Sequence, residues 1–447
     1  MSTADTPSNA VPGAASSAEQ PASTDAVVGR CRAFATLAQR GQPALARLSG
    51  AERDAALRAI ADQIEADADA ILAANARDLE ENQALDEALR DRLTLDPARV
   101  RGMAEAVRAV AAQPAVLGEI VEGRTLANGI RLEKRRVPIG VVLMIYESRP
   151  NVTSDAAALC IKSGNAVLLK GGREAKRSNA AIAGAVAAGL RRALTDRPLV
   201  ADAVAFIDET DRAAVRELVR MDDIVDLVIP RGGPGLIRAV VESATVPVVK
   251  HDAGVCHVYV DEHLDDAALR RASDIVLNAK TQRPGVCNAM ETLLVHERIA
   301  ERFFAQMGPR LCDAGVELRA DDAAIAHLPT AAPASDSDWG AEYLDLVLAV
   351  RVVDSLDEAI AHIERHGSQH TDAILTDSVA AADRFASEVT SANVMINCST
   401  RFADGGEYGL GAEIGISTDK LHARGPMGAR DLTTYKWVAT GSGQIRG

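Results

Sequence analysis

The chain has 447 residues with a net charge of −14, and 47% of its residues are hydrophobic and 25% charged. That length calls for two to three domains. The acidic balance argues against a phosphate-backbone partner, which needs a basic field, and no apolar run approaches the ~20 residues of a membrane span. The segment 1–24 is rich in Ser, Ala and Pro, lacks the pattern of a signal peptide, and reads as a disordered extension. Helices follow. Ser49 and Glu52 have the spacing of a capping box. Leu57, Ile60, Ala61, Ile64, Ile71 and Leu72 form one apolar stripe, and Val100, Met103, Val107 and Val110 a second. Between 119 and 137 a polar stretch with Asn128-Gly129 at its centre predicts an exposed hairpin, either an oligomer contact or a plain surface feature.

From Pro138 onward short apolar strands alternate with helices, the pattern of a doubly wound parallel sheet. Strands are expected at Gly140–Tyr146, Ala166–Lys170, Val204–Ile207, Val225–Ile229 and Val246–Val249. A second α/β block starts at His257, with strands at 291–296, 346–353, 372–376 and 393–397. The last forty residues are rich in glycine, a composition suited to functional loops on a scaffold built elsewhere.

No standard phosphate-binding fingerprint is present. Lys170-Gly-Gly-Arg173 and Arg231-Gly232-Gly233 each directly follow a strand, where glycine lets the backbone approach a ligand; tight turns with solvated cations would look the same. Cys287 sits in a loop with Pro284, Gly285 and Asn288. A thiolate suits attack on an acyl carbon, but no histidine is close in sequence, and a buried structural cysteine stays open. The six cysteines form no CxxC, which favours a reducing cytoplasm over a disulfide framework or zinc site. No metal site is expected. His362, His366 and His370 lie at fourth-residue spacing, but Gly367 should end that helix, leaving them capping and surface roles. Asp404, Glu407 and Glu413 read as carboxylates on a solvated loop.

Four segments together carry a resemblance: Pro138-Ile-Gly-Val with Tyr146-Glu-Ser-Arg-Pro-Asn151; Gly164-Asn-Ala-Val-Leu-Leu-Lys-Gly-Gly172; Asn278-Ala-Lys-Thr-Gln-Arg-Pro with Cys287-Asn-Ala; and Gly409-Leu-Gly-Ala-Glu-Ile-Gly-Ile-Ser-Thr with Leu421-His-Ala-Arg-Gly-Pro-Met-Gly428. From about residue 27 onward the chain resembles the glutamate-5-semialdehyde dehydrogenases, or γ-glutamyl phosphate reductases, of the aldehyde dehydrogenase superfamily. The resemblance implies a Rossmann-type cofactor domain (25–118 and 138–255), an α/β catalytic domain (256–400), and a β-hairpin oligomerisation arm with a C-terminal segment (119–137 and 401–447). It implies NADPH-dependent reduction of L-glutamyl 5-phosphate to glutamate 5-semialdehyde through a thioester on Cys287, in proline biosynthesis. Asn151 resembles the oxyanion-hole residue. Lys170, with Gly171 and Gly172, resembles the site of the adenosine ribose; Arg231, Gly232 and Gly233 join that cofactor set, and Glu342 resembles the glutamate on the nicotinamide ribose.

Two departures from hydrolytic relatives matter. Those enzymes carry an acid where this chain has Arg173, so a 2′-phosphate and hence NADP(H) is expected. Their water-activating glutamate has no counterpart in Val249-Lys-His251-Asp-Ala-Gly254, which favours acyl-phosphate chemistry over hydrolysis. Arg283 and Arg401, with Ser399 and Thr400, are the expected substrate contacts. A homo-oligomer, dimer or tetramer, is expected. The kinase supplying the acyl phosphate is expected as a separate glutamate 5-kinase in transient contact, since only about 25 residues precede the match. Two other readings stay open: an acylating dehydrogenase for an acyl-CoA, and a silent scaffold that kept the fold.

Overall fold

The computed structural model describes residues 24–85, 87–209, 211–250 and 253–446. The extension expected at 1–24 lies outside them except for Thr24, and so does His251.

Five helices open the described chain: α1 (Thr24–Ala46), α2 (Gly50–Ala66), α3 (Ala68–Glu81), α4 (Glu87–Leu93) and α5 (Pro97–Ala112). The expected capping box starts α2: Glu52 N donates to Ser49 Oγ at 3.2 Å, and Ser49 N donates to Glu52 Oε2 at 2.7 Å. Asp96 caps α5 and Pro97 takes its first position, where a missing N–H costs nothing. The stripe Leu57, Ile60, Ala61, Ile64 and Ile71 is buried, each large aliphatic adding about 1.5–3 kcal/mol.

A parallel sheet follows, from β3 (Val141–Tyr146), β4 (Ala166–Gly171), β5 (Val204–Phe206) and β6 (Leu227–Arg231), after the arm strands β1 (Ile120–Thr125) and β2 (Arg131–Pro138). Its order is β5-β4-β3-β6. The helices α6 (Asn151–Lys162), α7 (Lys176–Ala193), α8 (Arg212–Leu218) and α9 (Pro234–Ser243) connect and flank it. Instead of the strand expected at Val246–Val249, one bridge pairs Val228 with Val248. Pro247 explains this: it has no N–H to donate and only accepts from Val228 N at 2.9 Å.

The second block is a seven-stranded parallel sheet, ordered β10-β9-β11-β8-β7-β12-β13. Its strands are β7 (Cys256–Val260), β8 (Met290–His296), β9 (Glu317–Ala320), β10 (Ala332–Pro333), β11 (Val347–Val353), β12 (Thr371–Leu375) and β13 (Asn393–Ile396). Helices α10 (Asp266–Thr281), α11 (Glu297–Asp313), α12 (Asp322–Ile325), α13 (Leu356–His366) and α14 (Val379–Glu388) alternate with them. The edge strand β10 and its neighbour β9 are not announced by the sequence pattern, being too short for a periodicity.

The C-terminal stretch divides. After the small pair β14 (Ile416–Ser417) and β15 (Gly425–Pro426), strand β16 (Thr433–Thr440) joins the hairpin in the order β1-β2-β16. Ala412, Ile414, Ala423, Met427, Ala429 and Leu432 instead pack into the first core, whose other members run from Val27 to Val249. The second block's cores run from Val258 to Ala403. No described helix is long and apolar enough to cross a membrane.

Candidate active site

The register of the first sheet places its candidate residues on one edge. Tyr146, the last residue of β3, pairs with Gly171 on one side and Arg231 on the other. Three strand-to-helix turns therefore leave the sheet at one level. They are tied together: Gly233 N donates to Glu147 Oε2 at 2.9 Å, and Ser148 donates to Glu174 Oε1 from its N at 2.6 Å and its Oγ at 2.9 Å. Ser148 adopts φ 43°, a conformation rare for residues other than glycine, and those two hydrogen bonds hold it there. Gly232 is crowded by the same network, since a Cβ would fall 2.4 Å from Glu147 Oε2.

Lys170 is buried at this edge and donates to Gly171 O at 3.0 Å. Burial lowers its pKa, while Cys31, Glu174, Glu209 and Asp208 oppose that shift. Arg173 is exposed at the head of a short 3-10 turn (Arg173–Ala175) and makes no ion pair among the described residues. A buried ammonium and a free guanidinium beside a glycine turn suit an anionic, phosphate-bearing group, so the residues present fit a phosphorylated dinucleotide. Arg231, expected with that set, faces elsewhere: its Nη2 lies 3.8 Å from Glu413 Oε1, and its charge favours the Cys287 thiolate.

Cys287 lies in the loop between α10 and β8, half-buried rather than sealed in hydrocarbon. Three separate segments hold this loop. Arg92 of α4 donates to Gly285 O at 2.9 Å. Asn288 Nδ2 donates to Ala403 O at 2.9 Å, beside the Ser399–Arg401 turn. The Cys256 thiol donates to Cys287 O at 3.1 Å. Gly254 packs so closely that a Cβ there would lie 1.9 Å from that same carbonyl oxygen. Burial pushes the Cys287 thiol up to about 11; Arg231 and Arg149 pull it down, while Glu413 and Glu342 push it up. With its pKa raised in this way, the Cys287 thiol is protonated at neutral pH.

Asn151 opens α6, exposed, and its Nδ2 donates to Asp155 Oδ2 at 2.8 Å. Burial raises Asp155 to about 7, opposed by the Asn151 hydrogen bond and assisted by Glu413. Glu342 accepts from Gly254 N at 2.8 Å, which brings it to the segment packed on Cys287. Its loop is braced from below: the buried pair Lys280–Glu291 closes at 2.6 Å, and Glu291 Oε1 accepts from Leu344 N at 3.3 Å.

Of the expected substrate contacts, Arg401 donates to Gln282 Oε1 at 2.8 Å, and Ser399 Oγ caps the turn by accepting from Arg401 N at 3.3 Å. Thr400 is fully buried, and its Oγ1 has no partner. Arg283 is exposed and adds to the positive field on Arg401. The structure thus gathers Cys287, Arg231, Glu342, Arg283 and the Ser399–Arg401 turn around one loop, with the Lys170–Arg173 turn on the edge that also carries Asn151.

Sequence reasoning missed Glu413, expected on a solvated loop. Its Oε2 accepts from Gly405 N at 2.9 Å, Arg231 faces its other oxygen, and burial raises its pKa. Nothing in a glycine-rich stretch announces this. Asp155 was missed as well, although its place one helical turn after Asn151 is a signal that could have found it. Two histidines also depart from expectation. His362 packs edge-on against His257 and Trp339, and His370 is fully buried with Nδ1 2.8 Å from Thr371 Oγ1; burial pushes both pKa values down. Gly367 does end α13 as expected, but the chain then turns inward to β12. No group of three or more metal-ligating side chains occurs among the described residues.

Comparison with known proteins places this geometry. The profile of the aldehyde dehydrogenase family matches residues 15–325. A γ-glutamyl phosphate reductase of Thermobifida fusca is 51% identical over 92% of this chain and 98% of its own. The crystal structure of a γ-glutamyl phosphate reductase from Thermotoga maritima superimposes with a TM-score of 0.89 at 42% identity, covering 94% of this chain and all of the other. An acetylating aldehyde dehydrogenase from Geobacillus thermoglucosidasius shares the fold, with a TM-score of 0.69 at 18% identity over 96% of this chain and all of that one.

Proposed function

Because the chain belongs to the aldehyde dehydrogenase family, in its γ-glutamyl phosphate reductase branch, we propose that it reduces L-glutamyl 5-phosphate to L-glutamate 5-semialdehyde with NADPH, through a thioester on Cys287. The observation that carries this reading is the Cys287 loop: a half-buried thiol on a rigidly held backbone, faced by Arg231 and Arg149.

Cys287 Sγ attacks the acyl carbon, and phosphate departs with the electron pair of the broken C–O bond. In this reading the backbone N–H of Cys287 and the Asn151 amide would receive the carbonyl oxygen as it gains charge. Asp155 anchors that amide by accepting one of its hydrogens. When bound, NADPH supplies the hydride that converts the thioester to the aldehyde. Lys170 and Arg173 would hold its phosphorylated ribose, and Glu342, steadied by Gly254 N, its nicotinamide end. The absence of an acid at position 173 favours NADPH over NADH. Water activation is disfavoured because no glutamate stands in the 249–254 segment.

A homo-oligomer built on the arm sheet, a cytoplasmic location and supply of the acyl phosphate by a separate kinase complete the proposal. The exposed Ile120, Tyr435 and Trp437 of the arm support the first of these. The test is oxidation of glutamate 5-semialdehyde, with and without phosphate, using each nicotinamide cofactor. Phosphate-dependent turnover with NADP, abolished in Cys287→Ala while cofactor binding persists, is expected. Turnover retained in Cys287→Ala refutes the covalent route, and a requirement for coenzyme A instead of phosphate supports an acyl-CoA enzyme.

A further inference from the structure

The chain carries 63 acidic against 49 basic side chains, and its arginines are commonly paired. Arg108 bridges Asp62 and Glu65, and Arg384 bridges Asp357 and Glu388. Arg149 is an exception. It precedes Pro150 and Asn151 at the start of α6, is half-buried, and its guanidinium has no hydrogen-bond acceptor or ion pair among the described residues. The charges around it are Arg231, Arg92 and Arg283, together with the Cys287 thiol. Each of those arginines is committed at most in part. Arg92 uses one nitrogen on Gly285 O, Arg231 stands 3.8 Å from Glu413, and Arg283 is exposed. The nearby carboxylate Asp91 is engaged by Arg99 at 2.6 Å.

A desolvated guanidinium surrounded by like charges is unfavourable on its own account. Burial, with those cations adding to it, pushes Arg149 down to about 10, so it still carries its charge at neutral pH. Such a cluster becomes favourable when an anion enters. A guanidinium fork matches two oxygens of a phosphoryl group.

We propose that Arg149, flanked by Arg92 and Arg283, is the seat of the phosphoryl group of the acyl-phosphate substrate and of the inorganic phosphate it releases. This assignment rests on the reaction proposed above. As the bond from Cys287 Sγ to the acyl carbon forms, the bond from that carbon to the bridging phosphate oxygen breaks. The thiol proton leaves with the phosphate as hydrogen phosphate, so that thiol plus acyl phosphate gives thioester plus hydrogen phosphate with nothing left over. The cluster stabilises charge gathering on the leaving oxygen, which is where a positioned cation accelerates transfer. Arg401, tied to Gln282 beside Arg283, is left for the amino-acid end of the substrate.

The test measures semialdehyde oxidation by the full chain with inorganic phosphate as the varied substrate. Arg149→Gln is expected to raise the KM for phosphate at least tenfold while the KM values for semialdehyde and NADP stay within about twofold; Arg149→Lys should recover part of the loss. A second readout needs no turnover: inorganic phosphate should slow alkylation of Cys287 by iodoacetamide in the wild type and in Arg401→Gln, but not in Arg149→Gln. An unchanged phosphate KM in Arg149→Gln, or equal rises for phosphate and semialdehyde, overturns the assignment and leaves the reaction standing. A wild type whose oxidation ignores phosphate overturns the reaction and the assignment together.

Discussion

Replacing Lys280 by methionine keeps the length of the side chain and removes its charge. Lys280 and Glu291 are both fully buried, 2.6 Å apart. Breaking such a pair from one side strands the other charge, at a cost of about 3–5 kcal/mol. The cost depends on pH in a defined direction. Burial pushes the Glu291 carboxyl up, and Lys280 is the group that pulls it back down. Without Lys280 its folded pKa rises further above that of the unfolded chain. A carboxyl with a raised folded pKa contributes stability that is fully present below the unfolded pKa, ~4.3, and is lost as pH rises through the folded pKa. The variant's loss therefore continues above the pH at which the wild type's levels off, by up to ~1.4 kcal/mol per pH unit. Urea unfolding followed by far-UV circular dichroism at pH 6, 7, 8 and 9 should show the gap between the two proteins widening with pH. Lys280→Met combined with Glu291→Leu should recover most of the stability and abolish the widening. Because Glu291 Oε1 also receives Leu344 N, the single variant should loosen the Glu342 loop and raise the KM for NADP. A loss under about 1 kcal/mol at pH 8, or a gap that does not grow with pH, refutes the reasoning.

The same sign applies to Asp155, raised to about 7 mainly by burial: its contribution is present below ~3.9 and lost as pH rises through 7, so Asp155→Asn should gain up to a few kcal/mol at pH 8 and little at pH 4; equal shifts in melting temperature at both pH values would count against it. Arg173→Glu should raise the KM for NADP at least tenfold and leave that for NAD almost unchanged, and a parallel rise in both would assign Arg173 a merely structural role. Gly254→Ala places a Cβ 1.9 Å from backbone Cys287 O, which no side-chain rotation relieves. It should cost about 1–3 kcal/mol and slow turnover at least tenfold; wild-type activity would show that the Cys287 backbone position is not critical.

Reading the chain as text worked where a property belongs to a continuous segment. The strand expected at Ala166–Lys170 is β4, the helix expected from the Ser49–Glu52 capping box is α2, and the hairpin around Asn128-Gly129 is β1 and β2. It failed where a property belongs to two distant segments. Val246–Val249 failed for a local reason instead: it is apolar enough for a strand, but Pro247 within it reduces it to a single bridge. Glu413 reads as a loop carboxylate until the C-terminal segment folds over the first core and sets it beside Arg231. His362 and His370 read as polar punctuation, and the packing of α13 and β12 against β7 buries them.

Hydrophobic periodicity, cap residues and turn glycines act over a few residues, and they are why the alternating strands and helices, the glycine turn at Lys170–Arg173 and the loop bearing Cys287 could all be set out from the residues in order. Which charges meet across that loop could not. Coulombic and desolvation effects depend on distance and on how much water each group keeps, and those are set only when Arg92, Arg149, Arg231 and Glu413, spread over more than three hundred residues of chain, are brought together on the side of the first sheet and its core and meet the Cys287 loop that leads into the second sheet.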